Sequence, residues 1–335
     1  MNSTPASAST SSCTRRDFVG RLAAAGAALP LAGVAVGTAS RVAAATTPAA
    51  AGPSVIHVFS KPFHMLSHAE TAKLIAGSGA GGIDYTVRTQ QPHVLPAKVT
   101  EDLPRAVEAA HKAGLKVEMI TTDIKSVKEP HTEAVLKAAA KAGVKVYRLG
   151  NWNYDPKLGV EGTIEKLRPD FRELAALNQS LGLHGAVQNH AGTRLGGAVW
   201  DLHLLLRDID PRWVGVQYDI RHAIVEGAQS WPLPLRLLAP WIRCTDIKDF
   251  KWLQAPGKGT IDNVPLGEGI VPFDAYFKQA KELNLGGPIS LHLEYSPFER
   301  APATLSAADR IAQMKTLMKQ DVDFLKAQLA KAKLA

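Results

Sequence analysis

Cysteine is scarce in this 335-residue chain, and its scarcity limits what can hold the fold together. Cys13 and Cys244 are the two cysteines, and Cys13 lies ahead of the paired arginines of an N-terminal leader. Because we expect that leader to be removed, the mature chain keeps one cysteine and forms no internal disulfide. Cys244 lies in an apolar run, which is typical of a small buried hydrophobe rather than of a nucleophile. The mature protein must therefore depend on its hydrophobic core for stability.

Two other patterns are missing, and each argues against a class of function. No Gly-x-Gly-x-x-Gly follows the first strand-like run, which argues against a dinucleotide-binding fold. The formal net charge is +8, but the basic residues are dispersed over helical faces such as Lys137–Lys141 and Lys319–Lys333. No basic stripe is interleaved with aromatic side chains, so we expect no nucleic-acid partner.

The first 45 residues have the pattern of an export signal. Arg15 and Arg16 precede the Ala- and Gly-rich apolar stretch Leu22–Val36, and small residues follow at 43–45. This order defines a signal peptide, and the paired arginines followed by Phe18 resemble a twin-arginine signal. A membrane anchor is the alternative, but the apolar stretch is short and only weakly apolar. We therefore expect a periplasmic or secreted protein with no stable membrane anchor.

Beyond a linker of Ala, Thr, Pro and Gly at residues 46–53, short apolar runs alternate with stretches of helical periodicity. Several helical stretches end in a Gly that directly precedes the next apolar run, as at Gly114, Gly143 and Gly182. Eight alternating units with continuous apolar strands predict a single-domain (β/α)8 TIM barrel over residues 54–335. The predicted strands are Val55–Ser60, Gly82–Arg88, Lys116–Thr121, Lys145–Gly150, His184–Asn189, Val214–Asp219, Arg243–Ile247 and Ile289–Glu294.

The last four predicted strands end in oxygen-bearing side chains. These are Gln188, Asp219, Asp246 and Glu294. The strands are neighbours in a barrel, so the four side chains are expected to converge at its C-terminal mouth. Three carboxylates held together repel one another unless a cation lies between them, and oxygen ligands favour a hard or borderline ion. The sequence therefore predicts one divalent metal ion, Mn²⁺ or Mg²⁺, although each acid taken singly is also compatible with a helix cap or an ion pair.

The motifs around these strand ends resemble the sugar phosphate isomerase/epimerase superfamily, the xylose isomerase-like TIM barrels. The motifs are Gln188–His190, Asp219–His222, Asp246–Asp249, Gly267–Gly269 and Leu293–Glu294. That family usually presents Glu-Asn-His, Asp-x-x-His, His-x-Lys-Asp and a final Glu at these places. Its first Glu, its Asp, its seventh-strand His and its last Glu bind one divalent metal, and the resemblance implies the same four positions here.

Two of the four positions depart from the family pattern. Gln188 stands where the family generally has Glu, and Asp246 stands where it generally has His. The two exchanges keep the total of three negative charges, so the resemblance implies a retained metal; a member that has lost its metal is the alternative. Glutamine accepts no proton at ordinary pH. The family's transfer of a proton between two glutamates therefore cannot be carried over unchanged.

Glu294 is predicted to act as the base alone, or another residue serves as the base, for which the candidates are His190, His222, Lys248 and His292. His190 and His222 lie just beyond ligand-bearing strand ends, and histidine titrates near neutrality. Lys248 follows Asp246 by two residues, so both side chains are predicted to point to the same side of the strand, where Lys248 could stabilise a developing oxyanion. The alternatives are histidines that only bind a neighbour and a lysine that forms an ion pair with Asp249 or Glu294.

Four residues are predicted to contact the substrate. Lys61, Arg88 and Arg148 lie near strand ends, where they could bind hydroxyls or an acidic group, and Trp252 could stack on a sugar ring. Packing is the alternative for the tryptophan. His292 shares a face with Glu294 and is a candidate fifth ligand or supporting partner. The long Gly- and Pro-bearing segment 251–273 is predicted to be a lid or a surface loop.

These residues favour a metal-dependent sugar isomerase or epimerase that removes a proton next to a carbonyl of a small-molecule carbohydrate. A lyase or hydratase acting on an oxidised 3-keto glycoside is a second hypothesis, since it needs one base on one face. A non-catalytic sugar-binding protein is a third. The richer His/Asp clusters of endonuclease relatives are not found. A homo-oligomer is compatible with the sequence.

Overall fold

Eight parallel strands close into a barrel in the computed structural model, which describes residues 54–255 and 258–334. The first strand pairs with both the second and the last, so the sheet has no open edge. The strands are β1 (Ile56–Phe59), β2 (Gly82–Val87), β3 (Met119–Thr122), β4 (Val146–Arg148), β5 (His184–Gln188), β6 (Val214–Asp219), β7 (Ile242–Ile247), and, after the hairpin of β8 (Asp249–Ala255) and β9 (Lys258–Val264), β10 (Ile289–Leu291). The predicted (β/α)8 TIM barrel is confirmed.

Helices alternate with the strands of the barrel. The described residues form α1 (His68–Ala76), α2 (Val99–Lys112), α3 (Thr132–Lys141), α4 (Gly159–Leu181), α5 (Trp200–Leu206), α6 (Ile220–Gly227), α7 (Pro232–Leu238), α8 (Phe273–Glu282) and α9 (Ala307–Ala332). Helix α3 shows the common pattern, since its buried Val135, Leu136 and Ala139 share one face. Helix α4 ends at Gly182, whose φ of 68° is left-handed, as the sequence predicts. None of these helices is long and apolar enough to cross a membrane.

The predicted signal peptide and the linker at residues 46–53 lie outside the described residues. They remain predictions, as does export through the twin-arginine pathway. The eight predicted strands coincide with the eight barrel strands to within a few residues. The last prediction is too long, because β10 ends at Leu291 and Glu294 lies in the loop beyond it. The backbone N–H of His292 still donates to Ile247 O at 3.0 Å, and the chain then leaves the sheet.

Cys244 lies inside the barrel, as expected for a buried hydrophobe. It is 0 % exposed and clusters with Met119, Val146 and Ala186. Burial raises the pKa of its thiol well above the ordinary value. A thiol held in its neutral form is a poor nucleophile, so the structure agrees with a packing role.

Most of the predicted lid is a β-hairpin with an anchored base. The carboxylate of Asp249 accepts backbone N–H groups from Phe250, Gly267, Gly269 and Val271 at 2.8–3.1 Å. A Cβ on Gly269 would lie 2.1 Å from Asp249 Oδ1, so only glycine fits there. The Gly267–Gly269 motif is therefore explained by the backbone turn that encloses one buried carboxylate, and movement of the hairpin as a lid stays a prediction.

Candidate active site

The four residues predicted as metal ligands lie together at the C-terminal mouth of the barrel. Asp219 and Asp246 are register partners on β6 and β7, and both side chains are fully buried. Gln188, at the end of β5, donates its Nε2 to Asp219 Oδ2 at 2.9 Å and to Asp246 Oδ2 at 2.6 Å. Glu294 joins this group through the side chain of Lys248. Their convergence follows from parallel strands that end at one rim, while their role as metal ligands stays a prediction.

Lys248 forms the centre of the cluster. Its Nζ lies 3.1 Å from Asp219 Oδ2 and 3.1 Å from Glu294 Oε2, and the residue is 3 % exposed. Burial by itself would lower the pKa of Lys248, but the nearby carboxylates outweigh it and raise the pKa above the ordinary value. The ammonium therefore bridges two acids. Of the two ion pairs that the sequence left open as alternatives for Lys248, the one with Glu294 is present, whereas Asp249 is occupied by backbone N–H groups.

Asp246 has partners on three sides. Its Oδ1 accepts from Gln217 Nε2 at 2.5 Å and lies 3.3 Å from His292 Nε2, while its Oδ2 accepts from Gln188. His292 Nδ1 in turn lies 3.4 Å from Glu294 Oε1. Burial would lower the pKa of His292, but Asp246 raises it to about 9. His292 is therefore a partner of two acids in this structure, which matches one of its two predicted roles.

Gln217 is a member of the cluster that sequence reasoning missed. It is 0 % exposed and lies on β6 two residues before Asp219. Residues two apart in a strand point to the same face. A polar side chain at this position of an otherwise apolar strand was the signal available in the sequence.

Arg148 fixes the orientation of the Gln188 amide. Its Nη1 donates to Gln188 Oε1 at 3.0 Å, which leaves the amide NH₂ to face Asp219 and Asp246. The opposite orientation would set the amide oxygen against two carboxylates and the NH₂ against a guanidinium. Arg148, predicted to bind substrate, therefore also positions a residue of the cluster.

The other predicted substrate contacts divide into two groups. Lys61 Nζ lies 4.0 Å from Glu294 Oε1, and the Arg88 guanidinium lies 5.7 Å from the Phe59 ring, on which His292 also stacks. These two residues are at the mouth. Trp252 instead lies on β8 of the hairpin and is 44 % exposed. It packs edge-on against Phe250.

His190 and His222 form a pair beside the cluster, with ring centroids 4.0 Å apart. Arg221 Nη1 lies 3.0 Å from His222 Nδ1, which must then accept, so that Nε2 carries the proton. Burial and the charge of Lys248 lower the pKa of His222 well below its ordinary value and that of His190 to about 4. The expected titration near neutrality is therefore wrong for both rings, which are neutral at pH 7.

A divalent metal does not fit the donors in this arrangement. An ion needs oxygen lone pairs that converge on one point, but Gln188 turns its NH₂ toward two of the acids. The Lys248 ammonium lies between Asp219 and Glu294, and so it uses the lone pairs that an ion would need. Within residues 54–255 and 258–334, no group of three or more His, Cys, Asp or Glu is arranged to hold a metal ion.

Sequence comparison places this architecture in a known family. The profile of the xylose isomerase-like TIM barrel family matches residues 72–328, which is most of the chain. The chain belongs to the xylose isomerase-like TIM barrel family. No curated protein matches it in sequence. The resemblance inferred from the strand-end motifs is thus confirmed at the level of the family.

Several solved structures share the fold over most of the chain at low identity, among them a xylose isomerase-like TIM barrel protein. The latter, from Mycobacterium smegmatis in complex with magnesium, has a TM-score of 0.63 at 16% identity and covers 84% of this chain and 98% of its own. The 3-keto-D-glucoside 4-epimerase from E. coli gives 0.60 at 14%, covering 82% and 99%. A structure described as the probable 3-DHS dehydratase of petrobactin synthesis from Bacillus anthracis gives 0.58 at 15%, covering 82% and 98%. Identities of this size establish the fold only.

Proposed function

We propose that the protein is an isomerase- or epimerase-like enzyme that removes a proton next to a carbonyl of a carbohydrate, with Glu294 as the base. The observation that carries this proposal is the difference in exposure among the three acids. The side chain of Glu294 is 19 % exposed, whereas those of Asp219 and Asp246 are 0 % exposed. Glu294 is therefore the acid of this cluster that a substrate in the mouth can reach.

The groups around Glu294 determine its pKa and therefore its strength as a base. Burial alone would raise its pKa, but Lys248 and His292 lower the pKa well below the ordinary value. The lowered pKa favours the ionised form of Glu294 and makes it a weak base. Such a base needs stabilisation of the negative charge that develops on the substrate oxygen. Lys248 lies 3.1 Å from Glu294 and supplies positive charge at that place, while Lys61, which pairs more closely with Glu299, lies 4.0 Å away.

The neutral histidines suit the binding of sugar hydroxyls. His222 Nε2 is buried, and among the described residues it has no hydrogen-bond partner, although Asp219 Oδ2 lies 3.6 Å away. A buried N–H without a partner costs free energy, which a substrate oxygen would recover. The His190 ring lies beside it, tilted by 32°, and is partly exposed. We assign these rings to orientation of the substrate rather than to acid catalysis.

Elimination from a 3-keto glycoside is the second candidate, and Gln188 favours it. Epimerisation at one carbon needs a base on each face of the substrate, whereas elimination needs one base and an acid for the leaving group. Gln188 stands where the family has its second glutamate, and its amide is held by Arg148 and the two aspartates. A 3-keto-glucoside epimerase and a dehydratase are among the similar structures, so both the substrate class and the reaction occur on this fold.

Deuterium exchange tests the proposal for either reaction, because both begin with loss of the proton next to the carbonyl. The purified protein is incubated in D₂O with a panel of ketoses and 3-keto glycosides, and NMR follows both deuterium incorporation and loss of the leaving group. We expect exchange with at least one sugar, and a loss of about 10²-fold or more in Glu294→Gln. Glu282→Gln, on the exposed surface of α8, is the matched control and should keep the wild-type rate.

Two outcomes contradict this assignment. Exchange that persists unchanged in Glu294→Gln would show that another group is the base. Sugar binding by calorimetry without exchange in the wild-type protein would support the non-catalytic alternative.

A further inference from the structure

Two arginines at the mouth, which we call the arginine pair, have no ion-pair partner. Arg88 directly follows β2 and is half-buried, and Arg148 ends β4 and is 8 % exposed. Within the described residues, neither guanidinium forms a salt bridge. Arg88 Nε donates to Gln90 O at 2.8 Å, and Arg148 Nη1 donates to Gln188 Oε1 at 3.0 Å. A guanidinium has five N–H donors, so most of those of the arginine pair can serve a ligand.

Arg168 shows how a buried arginine is balanced elsewhere in this chain. It is 7 % exposed, close to the value for Arg148. Its guanidinium pairs with Glu165 at 2.9 Å and with Asp208 at 3.4 Å. A buried charge without an opposite charge is costly. An anion that enters the mouth and binds Arg148 would therefore recover free energy that the chain itself does not.

The two guanidinium groups of the arginine pair act on each other. Both guanidinium carbons lie 5.7 Å from the centroid of the Phe59 ring, at the end of β1. Burial and the positive charge of Arg148 lower the pKa of Arg88, although three carboxylates oppose the shift. Like charges held close together repel, and an anion bound to both removes that repulsion.

Gln188 separates the arginine pair from the acids of the mouth. Its amide oxygen faces Arg148, while its NH₂ faces Asp219 and Asp246. A glutamate, which the family generally has at this position, would neutralise Arg148. The glutamine leaves the charge of Arg148 available and divides the mouth into a basic side and an acidic side.

The other cations of the mouth already have partners. Lys61 pairs with Glu299, and Lys248 lies 3.1 Å from Glu294. The terminal nitrogens of Arg221 face the side chains of the two residues His222 and Asn263. The arginine pair is therefore the place in the mouth where an anion meets the least competition.

The position of the arginine pair favours a carboxylate over a phosphate. A guanidinium fork matches either group. In TIM barrels, however, phosphate frequently binds at the loops after the seventh and eighth strands. Here those loops carry Asp249 and Glu294, whose charges repel a phosphate. The arginine pair lies at the ends of the second and fourth strands instead.

We propose that the arginine pair binds a carboxylate of the substrate, so that the carbohydrate is a sugar acid such as a uronate. The acids on the other side of Gln188 repel the same carboxylate, so the sugar enters with its uncharged carbonyl end toward Glu294. This substrate class rests on the proposed function of Glu294. The binding of the carboxylate itself can be tested without turnover.

Matched sugars provide this test. Calorimetry measures the affinity of the full-length protein for D-glucose and D-glucuronate, D-galactose and D-galacturonate, and D-fructose and D-fructuronate. The members of each pair differ in one CH₂OH that is oxidised to a carboxylate. In at least one pair, we expect the acid to bind about 10- to 100-fold more tightly than the neutral sugar, as charge-assisted hydrogen bonds predict.

Three variants assign the preference to the arginine pair. Arg88→Met deletes one guanidinium and should abolish the preference for the acid. Arg88→Lys keeps the charge but loses the planar fork, so it should retain part of the preference, and it decides the question if Arg88→Met does not fold. Arg172→Met, on the exposed surface of α4, is the matched control and should bind as the wild type does.

Equal affinities for acid and neutral sugar in all three pairs would overturn the inference, and so would a preference that persists unchanged in both Arg88 variants. D-fructose 6-phosphate tests the phosphate alternative. Binding of this ester that depends on Arg88, with no such binding of any uronate, would also overturn the carboxylate assignment.

The outcome for the proposed function is separate. A preference for the acid in a protein that exchanges no deuterium would support the arginine pair while removing the proposed function. Deuterium exchange into D-fructose and D-fructuronate at equal rates, with equal affinities, would keep the proposed function and remove the arginine pair as a determinant of substrate class.

Discussion

The two ends of the barrel bury the same type of residue in opposite charge states. At the amino end, His184 Nδ1 lies 3.1 Å from the carbonyl oxygen of Arg212, and burial lowers the pKa of His184 to about 4. At the mouth, His292 is equally buried but lies within 3.4 Å of Asp246 and Glu294, which raise its pKa to about 9. Burial opposes the charged form at both ends. The groups that the imidazole ring contacts therefore decide whether a buried histidine is neutral or charged.

This contrast separates an amino end that contributes to stability from a mouth that holds charged side chains. The amino end keeps the buried His184 neutral and contributes to stability, as in other barrels of this kind. The mouth holds three carboxylates with a lysine and a histidine among them, which is costly unless every partner is present. The mouth is therefore the part of the molecule where loss of a single side chain should have the largest effect.

The largest expected effect is that of removing one acid from the mouth. Asp246→Ala removes the acceptor that the NH₂ groups of Gln188 and Gln217 share, and the carboxylate that lies 3.3 Å from His292 Nε2. Breaking a buried charged network in this way should lower the free energy of unfolding by about 3–5 kcal/mol. Urea unfolding of the variant and the wild type at pH 7 measures the difference.

Asp323→Ala is the control for this experiment. Asp323 also pairs with a lysine, Lys319, but on the exposed face of α9. Its removal should change the free energy of unfolding by less than about 1 kcal/mol. Equal losses in the two variants would show that the mouth has no special dependence on its partners.

An intermediate effect is expected from the amino end, and it depends on pH. The unfolded chain protonates His184 below pH 6.5, whereas the native state resists protonation down to about pH 4. The unfolded state therefore binds more protons in this window, and stability falls as the pH falls through it. With about 1.4 kcal/mol per pKa unit, His184 should account for a loss of about 3 kcal/mol between pH 6.5 and 4.

Urea unfolding at several pH values between 6.5 and 4 checks this expectation. His184→Gln removes one of the groups that titrate in this window and should reduce the slope of stability against pH by the share of His184. His111→Gln, on the exposed surface of α2, should leave the slope unchanged. An identical slope in His184→Gln and wild type would mean that other groups account for the acid sensitivity.

The smallest expected effect on the free energy of unfolding is that of removing Lys61, which lies at the rim of the mouth rather than in its interior. Lys61 and Lys248 both approach Glu294, but the Lys61 side chain is 24% exposed, pairs with the partly exposed Glu299, and has its Nζ 4.0 Å from the Glu294 carboxylate. Water screens such a pair, so Lys61→Met should change the free energy of unfolding by less than about 1 kcal/mol. Thermal unfolding measures this change. A loss as large as that in Asp246→Ala would show that rim and interior are one network.

Much of the barrel could be predicted from the sequence, because continuous apolar strands and glycine-ended helices are local signals. The convergence of Gln188, Asp219, Asp246 and Glu294 was also predictable, since it needs only the order of the strands and their shared rim. The hairpin of β8 and β9 was not predicted. Its base is held by the Asp249 carboxylate and backbone groups up to 22 residues away, and such an interaction leaves no periodic pattern in the sequence.

The roles of single side chains at the mouth were less predictable. Lys248 was placed on the correct face, but its position between Asp219 and Glu294 depends on the distance between two strand ends. The pKa values of His190 and His222 depend on burial and on that lysine, neither of which is visible in a histidine's neighbours along the chain.

The sequence by itself determined the barrel and the set of polar residues at its mouth, because strand order and alternation are properties of the chain. The tertiary structure alone decided which donor meets which acceptor. Strands distant in sequence bring Lys248, Arg148 and Gln217 to within hydrogen-bond distance of the same buried acids or of the amide that binds them. At such distances a shift of one ångström can break a hydrogen bond or bring like charges together. Positions of this precision are set only by the packing of the whole fold.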